Sequence, residues 1–255
     1  MTSPKSLPFA AAALLSGLTL ATAAHAQYTI KVGAIYIDPR ATSSGLYGTL
    51  PANAGPTTYL GNTTDGIYLQ VQPQTTLEIA IERAFDEHWS AELVLGYPPR
   101  HDVKLKSTSP QITSSTPGVA TLLASKIAAD DGEVVARVRQ WAPTAFINYK
   151  FFDKGTKLRP YIGVGVNYTM FKSSATEAGT SLYNDGQVRI KLTNSFGLAF
   201  QTGVSYQFND QWSLNMGWAT AAVKNHITIY TDNSKQEADY RFHPSTYSLT
   251  VGYSF

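Results

Sequence analysis

The last nine residues, Tyr247-Ser-Leu-Thr-Val-Gly-Tyr-Ser-Phe255, alternate without a miss. Tyr247, Leu249, Val251, Tyr253 and Phe255 are large and apolar; Ser248, Thr250, Gly252 and Ser254 are small. Period two defines a strand with two unlike faces. Which face is inside decides the fold. A soluble domain turns its small polar face to water, and a barrel in lipid turns the same pattern outside-in.

The pattern recurs along the chain. Tyr28, Ile30, Val32, Ala34 and Tyr36 oppose Lys31, Gly33 and Ile35; Trp89 to Tyr97, Ala145 to Phe151, Ile162 to Met170 and Trp212 to Trp218 behave alike. The longest run sets Ile190, Leu192, Phe196, Leu198 and Phe200 on one face, against Lys191, Thr193, Ser195 and Gly197. About eight strands result, an even number within the range of outer-membrane barrels. Asp86 to His88, Asp153 to Lys157 and Asn209 to Gln211 read as short turns. Residues 38–69, 107–133, 172–187 and 231–236 read as longer loops rich in Gly, Ser, Thr and Asn. Short turns on one side and long loops on the other match periplasmic turns and extracellular loops. Within one loop, Thr116 as N-cap with Pro117 at N1 predicts a helix ending near Gly132, packing on the rim or serving as a lid.

Composition agrees with this reading. Of 255 residues, 43% are hydrophobic and only 15% charged, against roughly 25% charged in soluble domains. The net charge of +2 gives no basic field for nucleic acid. With no cysteine, thiolate metal sites are excluded. Lys5, the apolar run Leu7 to Ala23 and the motif Ala24-His25-Ala26 read as a signal peptide over residues 1–26, leaving a single barrel domain over 27–255.

Bulk resolves the choice of face. Eight strands enclose an interior that side chains nearly fill, and eight rows of Leu, Phe, Tyr and Trp would overfill it. Aromatics also gather at strand ends (Tyr28, Trp89, Tyr149, Phe151, Phe208, Trp212, Tyr253 and Phe255), as interfacial girdles require. The expectation is an all-β, eight-stranded, antiparallel, up-and-down transmembrane barrel, monomeric and integral to the outer membrane. Outer-membrane lipid and lipopolysaccharide would surround it.

Several segments resemble one family in its order: "KVGAIYIDP", "ELVLGYPPRH" (92–101), "APTAFINYKF", "KLRPYIGVGVNYTMF" (157–171), "NSFGLAFQTGVSYQFNDQWSLNM" and "SLTVGYSF". The chain is similar to the OmpW family, which includes AlkL-type proteins. The resemblance implies a barrel that helps small hydrophobic molecules across the outer membrane, with an apolar interior and a lateral route into the bilayer. The final aromatic resembles the signature read by the barrel-insertion machinery.

The inward face divides by depth. Lys31, Glu78, Glu82, Glu92, Asn148 and Lys150 lie toward the short turns and read as a charged plug, with Lys31 beside the strand that carries Glu78. Ile35, Ile37, Val94, Gly96, Ala142, Phe146, Ala219 and Ala221 lie toward the loops and read as an apolar, ligand-lining pocket. Pairing across the Asp86–His88 turn brings Pro73 level with Pro98 and Pro99, where the ladder should break. That break is either a lateral exit or simply the end of pairing above the bilayer. Glu78 and Glu92 could also form a catalytic carboxylate pair, but no serine, histidine or metal cluster accompanies them, so structural ion pairing is the reading adopted and no enzyme is expected. "GVGVN" (163–167) lacks the third glycine of a dinucleotide fingerprint. His88, His101, His226 and His243 lack zinc spacing; no cofactor or metal is expected. The rival function is a non-conducting structural or adhesin-type barrel acting through its loops. A soluble periplasmic ligand carrier is disfavoured by the outward aromatics.

Overall fold

The structure, a computed structural model, describes residues 28–54 and 56–255. The expected leader, 1–26, lies outside the described residues. In chain order the strands are β1 (Tyr28–Asp38), β2 (Tyr47–Ala54), β3 (Thr57–Val71), β4 (Gln74–Ala84), β5 (Trp89–Gly96), β6 (Arg100–Thr113), β7 (Val134–Trp141), β8 (Thr144–Lys150) and β9 (Leu158–Ala175). They continue with β10 (Arg189–Leu192), β11 (Ser195–Gln207), β12 (Trp212–Ala221), β13 (Val223–Tyr230), β14 (Lys235–Phe242) and β15 (Ser245–Ser254). Helix α1 (Val119–Ala129) precedes β7, and α2 (Glu177–Tyr183) precedes β10.

Joined end to end, these strands form the eight staves of a closed antiparallel barrel with two tiers. The lower tier runs β1-β4-β5-β8-β9-β11-β12-β15 and closes where Val32 pairs with Val251. The upper tier runs β10-β13-β14-β2-β3-β6-β7-β9. Its β9 and β10 meet without a backbone ladder, Ser173 Oγ donating instead to Ile190 O at 3.4 Å.

Proline separates the tiers. Pro39, Pro73, Pro98, Pro99, Pro143 and Pro244 all fall between a lower and an upper strand. Each lacks the N–H that a ladder needs, so pairing stops there and restarts.

The two tiers are built inside-out relative to each other. β9 shows this best, because it crosses the boundary unbroken. Its outward row reads Ile162, Val164, Val166, Tyr168, Met170 and then changes to Lys172 and Ser174. Its inward row reads Gly163, Gly165, Asn167, Thr169 and then Phe171. In the lower tier Leu198 is 74%, Phe200 39% and Val251 45% exposed, facing outward as the bulk argument requires. In the upper tier Leu105, Ile227 and Phe242 are buried, together with Leu50, Ile67, Leu69 and Val103, in one apolar core. Lipid and water impose these opposite solutions on one strand period. Apart from the continuous β9, the lower strands run from 7 residues in β8 to 13 in β11, bracketing the roughly 9–11 residues that span a bilayer. Their outward faces end in aromatic pairs, Trp212–Tyr253 (5.0 Å between ring centres) and Trp89–Tyr149 (5.1 Å) at the base and Phe200–Trp218 (6.2 Å) higher up.

Three expectations need correction. Residues 38–69 and 231–236 are not long loops: most of 38–69 forms β2 and the upper part of β3, and β13 and β14 are joined by a tight turn. Ile190 and Leu192 do not continue the lipid face of Phe196 and Leu198. The break at Thr193 and Asn194 slips the alternation by one residue, and both line the upper cavity. Helix α1 begins at Val119 with Gly118 as N-cap rather than Thr116, and it ends at Ala129. It buries Val119, Leu123 and Ile127 over the mouth of the upper tier. Helix α2 lies within the 172–187 segment expected as loop and caps the same mouth through Leu182 and Tyr183, whose hydroxyl donates to Gln236 Oε1 at 2.6 Å.

The outer surface of the upper tier is polar. There His226 Nδ1 lies 2.9 Å from Asp239 and Nε2 3.5 Å from Glu237. The hydrogen bond to Asp239 holds its pKa above the ordinary 6.5. A raised pKa means that this contact stabilises the hairpin fully below the unfolded value and fades as pH climbs through the folded one. In an NMR titration His226 should therefore titrate above 6.5, and Asp239→Asn should lower the midpoint; an unshifted midpoint in the parent would contradict the pairing.

Candidate functional site

The floor of the barrel is a buried polar network. Lys31 Nζ sits 2.8 Å from Glu82 and 2.7 Å from Glu92, and Lys150 Nζ sits 2.5 Å from Glu82. Ser90 donates to Glu82 at 2.5 Å, while Asn148 and Gln201 each donate to Glu92 at 2.8 Å. These groups come from β1, β4, β5, β8 and β11, so the network ties staves on opposite sides of the bore. Buried charges require this kind of pairing and hydrogen bonding. The expected neighbour Glu78 is not Lys31's partner. Lys31 stands opposite Ala80 in the register, between Glu78 and Glu82, and its ammonium turns down to Glu82 and across to Glu92. Glu78 faces the cavity above instead.

Glycine makes the plug fit. A Cβ on Gly163 would lie 2.0 Å from Asn148 Oδ1, and one on Gly203 would lie 2.6 Å from the Tyr161 hydroxyl. Gly163 of "GVGVN" thus clears space for the side chains of Asn148 and Gln201, and Gly165 for the Ala145 carbonyl and the Phe146 ring. Tyr161, Gln201 and Arg159 were not anticipated as parts of the floor. Arg159 donates to the carbonyls of Glu87 (2.6 Å), Phe152 (2.7 Å) and Phe151 (3.2 Å), closing the base.

Above the plug lies a cavity enclosing about 940 Å³ of empty space, including its opening. Ile35, Ile37, Val94, Gly96, Ala142, Phe146, Ala219 and Ala221 all line it. Thr144, Asn167, Thr169 and Glu78 add polar points near its floor. A second space, about 980 Å³ with its opening likewise included, lies within the upper tier. Its walls include Leu69, Leu105, Phe171, Ile227 and Phe242. Gln140 belongs to both walls and stands at the boundary between the two spaces.

The wall between strands β4 and β5 is interrupted above the lower cavity. Regular pairing ends at Glu78 and Gly96, with one further bond from Tyr97 N to Leu77 O. It resumes where Gln72 N donates to Asp102 O and Val71 pairs with Val103. Pro73, Pro98 and Pro99 fall together in this gap. Side chains bridge it: Thr76 Oγ1 donates to Tyr97 O at 2.8 Å, Gln74 Nε2 to Arg100 O at 3.3 Å, and His101 Nδ1 to Gln72 O at 2.8 Å. A carbonyl only accepts, so His101 carries its proton on Nδ1. On the facing side, β5–β8 pairing stops at Val94 and Thr144, leaving residues 95–98 without a regular partner there. Thr76, Gly96 and Pro99, at the edge of this gap, also line the lower cavity.

Among known proteins, the sequence model of the OmpW family matches residues 27–255. Outer membrane protein W of Vibrio cholerae is 31% identical over 142 residues, which cover 53% of this chain and 64% of that protein. Outer membrane protein W of Escherichia coli K12 is 28% identical over 169 residues, covering 63% of this chain and 76% of that protein. The crystal structure of OprG from Pseudomonas aeruginosa superposes with a TM-score of 0.69 at 22% identity, covering 90% of this chain and 96% of OprG. The NMR structure of AlkL in lipid bilayers gives 0.52 at 17% identity, covering 99% and 97%; these two likenesses bear on the fold alone. An exterior clad in apolar side chains, a closed eight-stave wall and a family match over the whole described barrel place this chain in the OmpW family, as an integral outer-membrane protein.

Proposed function

We propose that the protein takes up small hydrophobic molecules from the cell exterior and releases them sideways into the outer membrane. The observation that carries this reading is an apolar cavity standing on a buried ionic floor. A solute that enters from the upper cavity meets no continuous aqueous path to the periplasm. The proline gap beside Gly96 and Pro99 offers a short stretch of wall held by side-chain hydrogen bonds rather than a full ladder. Backbone without ladder partners is tolerated at membrane depth where it borders a cavity. Apolar burial of about 25 cal/mol per Å² supplies the binding energy, and Ile35, Ile37, Val94, Phe146 and Ala219 are the residues that provide it. The partners proposed with it are small hydrophobic solutes, lipopolysaccharide around the rim and the barrel-insertion machinery during assembly; the protein acts as a monomer.

Uptake of a radiolabelled hydrophobic solute by cells with and without the protein tests the reading. Faster uptake with the protein is expected. Equal rates would overturn it in favour of a non-conducting barrel.

A further inference from the structure

We propose that three outward cations, Arg100, Arg139 and Lys172, form a docking site for the phosphate groups of an anionic glycolipid of the lipid A type in the outer leaflet. The inference rests on the membrane placement of the barrel and not on its transport.

The three residues form one rung of the sheet. Arg100 stands opposite Arg139, and Arg139 stands opposite Lys172, on the adjacent staves β6, β7 and β9. All three side chains are exposed on the outer face. Like charges directly opposite each other in a sheet are destabilising, so such a rung calls for a counter-ion. The protein supplies none: among the described residues, no carboxylate lies within ion-pair distance of any of the three. The next rung up shows what a self-sufficient arrangement looks like. There Asp102 stands opposite Arg137, and the two pair at 3.1 Å.

Depth supports the same assignment. The rung below on the outer face pairs Trp141, 46% exposed, with Met170. Tyr168, two residues lower on β9, is also exposed. These belong to the aromatic border of the hydrocarbon-facing surface, and aromatic residues sit at headgroup level. The cationic rung lies two residues further, about 7 Å along the strand. Phosphates on the sugar headgroup of an outer-leaflet glycolipid reach this level, and arginine suits them because its planar fork binds phosphate oxygens in pairs. A zwitterionic phospholipid would leave the rung's excess positive charge only partly compensated.

The test uses the refolded full barrel in detergent micelles, titrated with diphosphoryl lipid A, with the same lipid after enzymatic removal of its phosphates, and with inorganic phosphate. Adducts are read by native mass spectrometry. Three basic residues facing the phosphates should together make diphosphoryl lipid A bind on the order of 100-fold more tightly than the dephosphorylated form. The variant Arg100→Gln/Arg139→Gln/Lys172→Gln should erase that preference. Lys106→Gln, higher on β6, should keep it. Because a triple variant can fail to refold, Arg139→Gln alone is included and should lower the preference several-fold. No preference in the parent barrel, or an undiminished one in Arg139→Gln, would overturn the proposal. So would inorganic phosphate competing at concentrations equal to those of lipid A, which would mark the rung as a free-anion site. Solute uptake by the triple variant in cells is expected to stay at the parental rate, so the docking site and the transport reading stand or fall separately.

Discussion

Replacing Lys31 with methionine is expected to be the most damaging single change in the barrel. The ammonium is the shared partner of Glu82 and Glu92 at 2.8 and 2.7 Å, and all three side chains are no more than 5% exposed. Methionine matches the stem of lysine but leaves two carboxylates without their common cation, with only Lys150 remaining at Glu82. Removing one member of a buried ion pair costs about 3–5 kcal/mol, because the remaining charge stays desolvated. Urea unfolding in lipid vesicles, followed by tryptophan fluorescence, should show a loss of that order. The rescue is equally specific. Lys31→Met combined with Glu82→Gln and Glu92→Gln removes the uncompensated charge and should recover a large part of the stability. An unchanged midpoint in the single variant would mean that the network is ornamental.

The second large effect concerns the lower cavity. Val94 projects inward from β5 among Ile35, Ala142, Phe146 and Ala219. A tryptophan there fills the space that a solute needs, so Val94→Trp should reduce hydrophobic-solute uptake to the level of cells lacking the protein. Overpacking costs about 1–3 kcal/mol in a tight core, but the indole enters an existing void and the barrel should still assemble. Leu93→Trp is the control: Leu93 faces outward and is 41% exposed, and the change should leave uptake intact. Rapid uptake through a folded Val94→Trp barrel would remove the lower cavity from the route.

Much of this architecture is legible in the sequence. The strict alternation from Tyr247 to Phe255 gave a strand, and the bulk of its odd positions put that face in lipid, where Val251 stands. The pocket set from Ile35 to Ala221 was legible because parity and depth are both written in a barrel strand: every second residue faces in, and distance from the turn gives height. The upper tier was hidden by its composition. Residues 47–66, rich in Gly, Thr, Asn and Pro, have the look of a loop, yet β2 and β3 pair from Gly48 to Ala54. The available signal was the run His101 to Ser107, where Val103 and Leu105 alternate with Asp102, Lys104 and Lys106. A charged outer face with an apolar inner one is what a water-exposed barrel requires. Parity slips where a break inserts a residue, as at Pro98 and at Thr193 to Asn194, so alternation carried back from Phe196 gives the opposite face for Ile190 and Leu192 to the one they occupy. Lys31's choice of Glu82 over Glu78 depends on side-chain direction, which spacing alone does not encode.

The central claim is that one strand period serves two solvents, with apolar side chains outside below the proline level and inside above it. Spin labels on β9 and β10 read this directly, through relaxation by oxygen, which concentrates in lipid, and by a nickel chelate, which stays in water. In vesicles, labels at Val164→Cys and Val166→Cys should respond to oxygen, one at Lys172→Cys to the chelate, and those at Phe171→Cys and Ile190→Cys to neither. A strong oxygen response at Phe171 and Ile190, equal to that at Val164, would show a single lipid-facing surface and contradict the two-tier barrel.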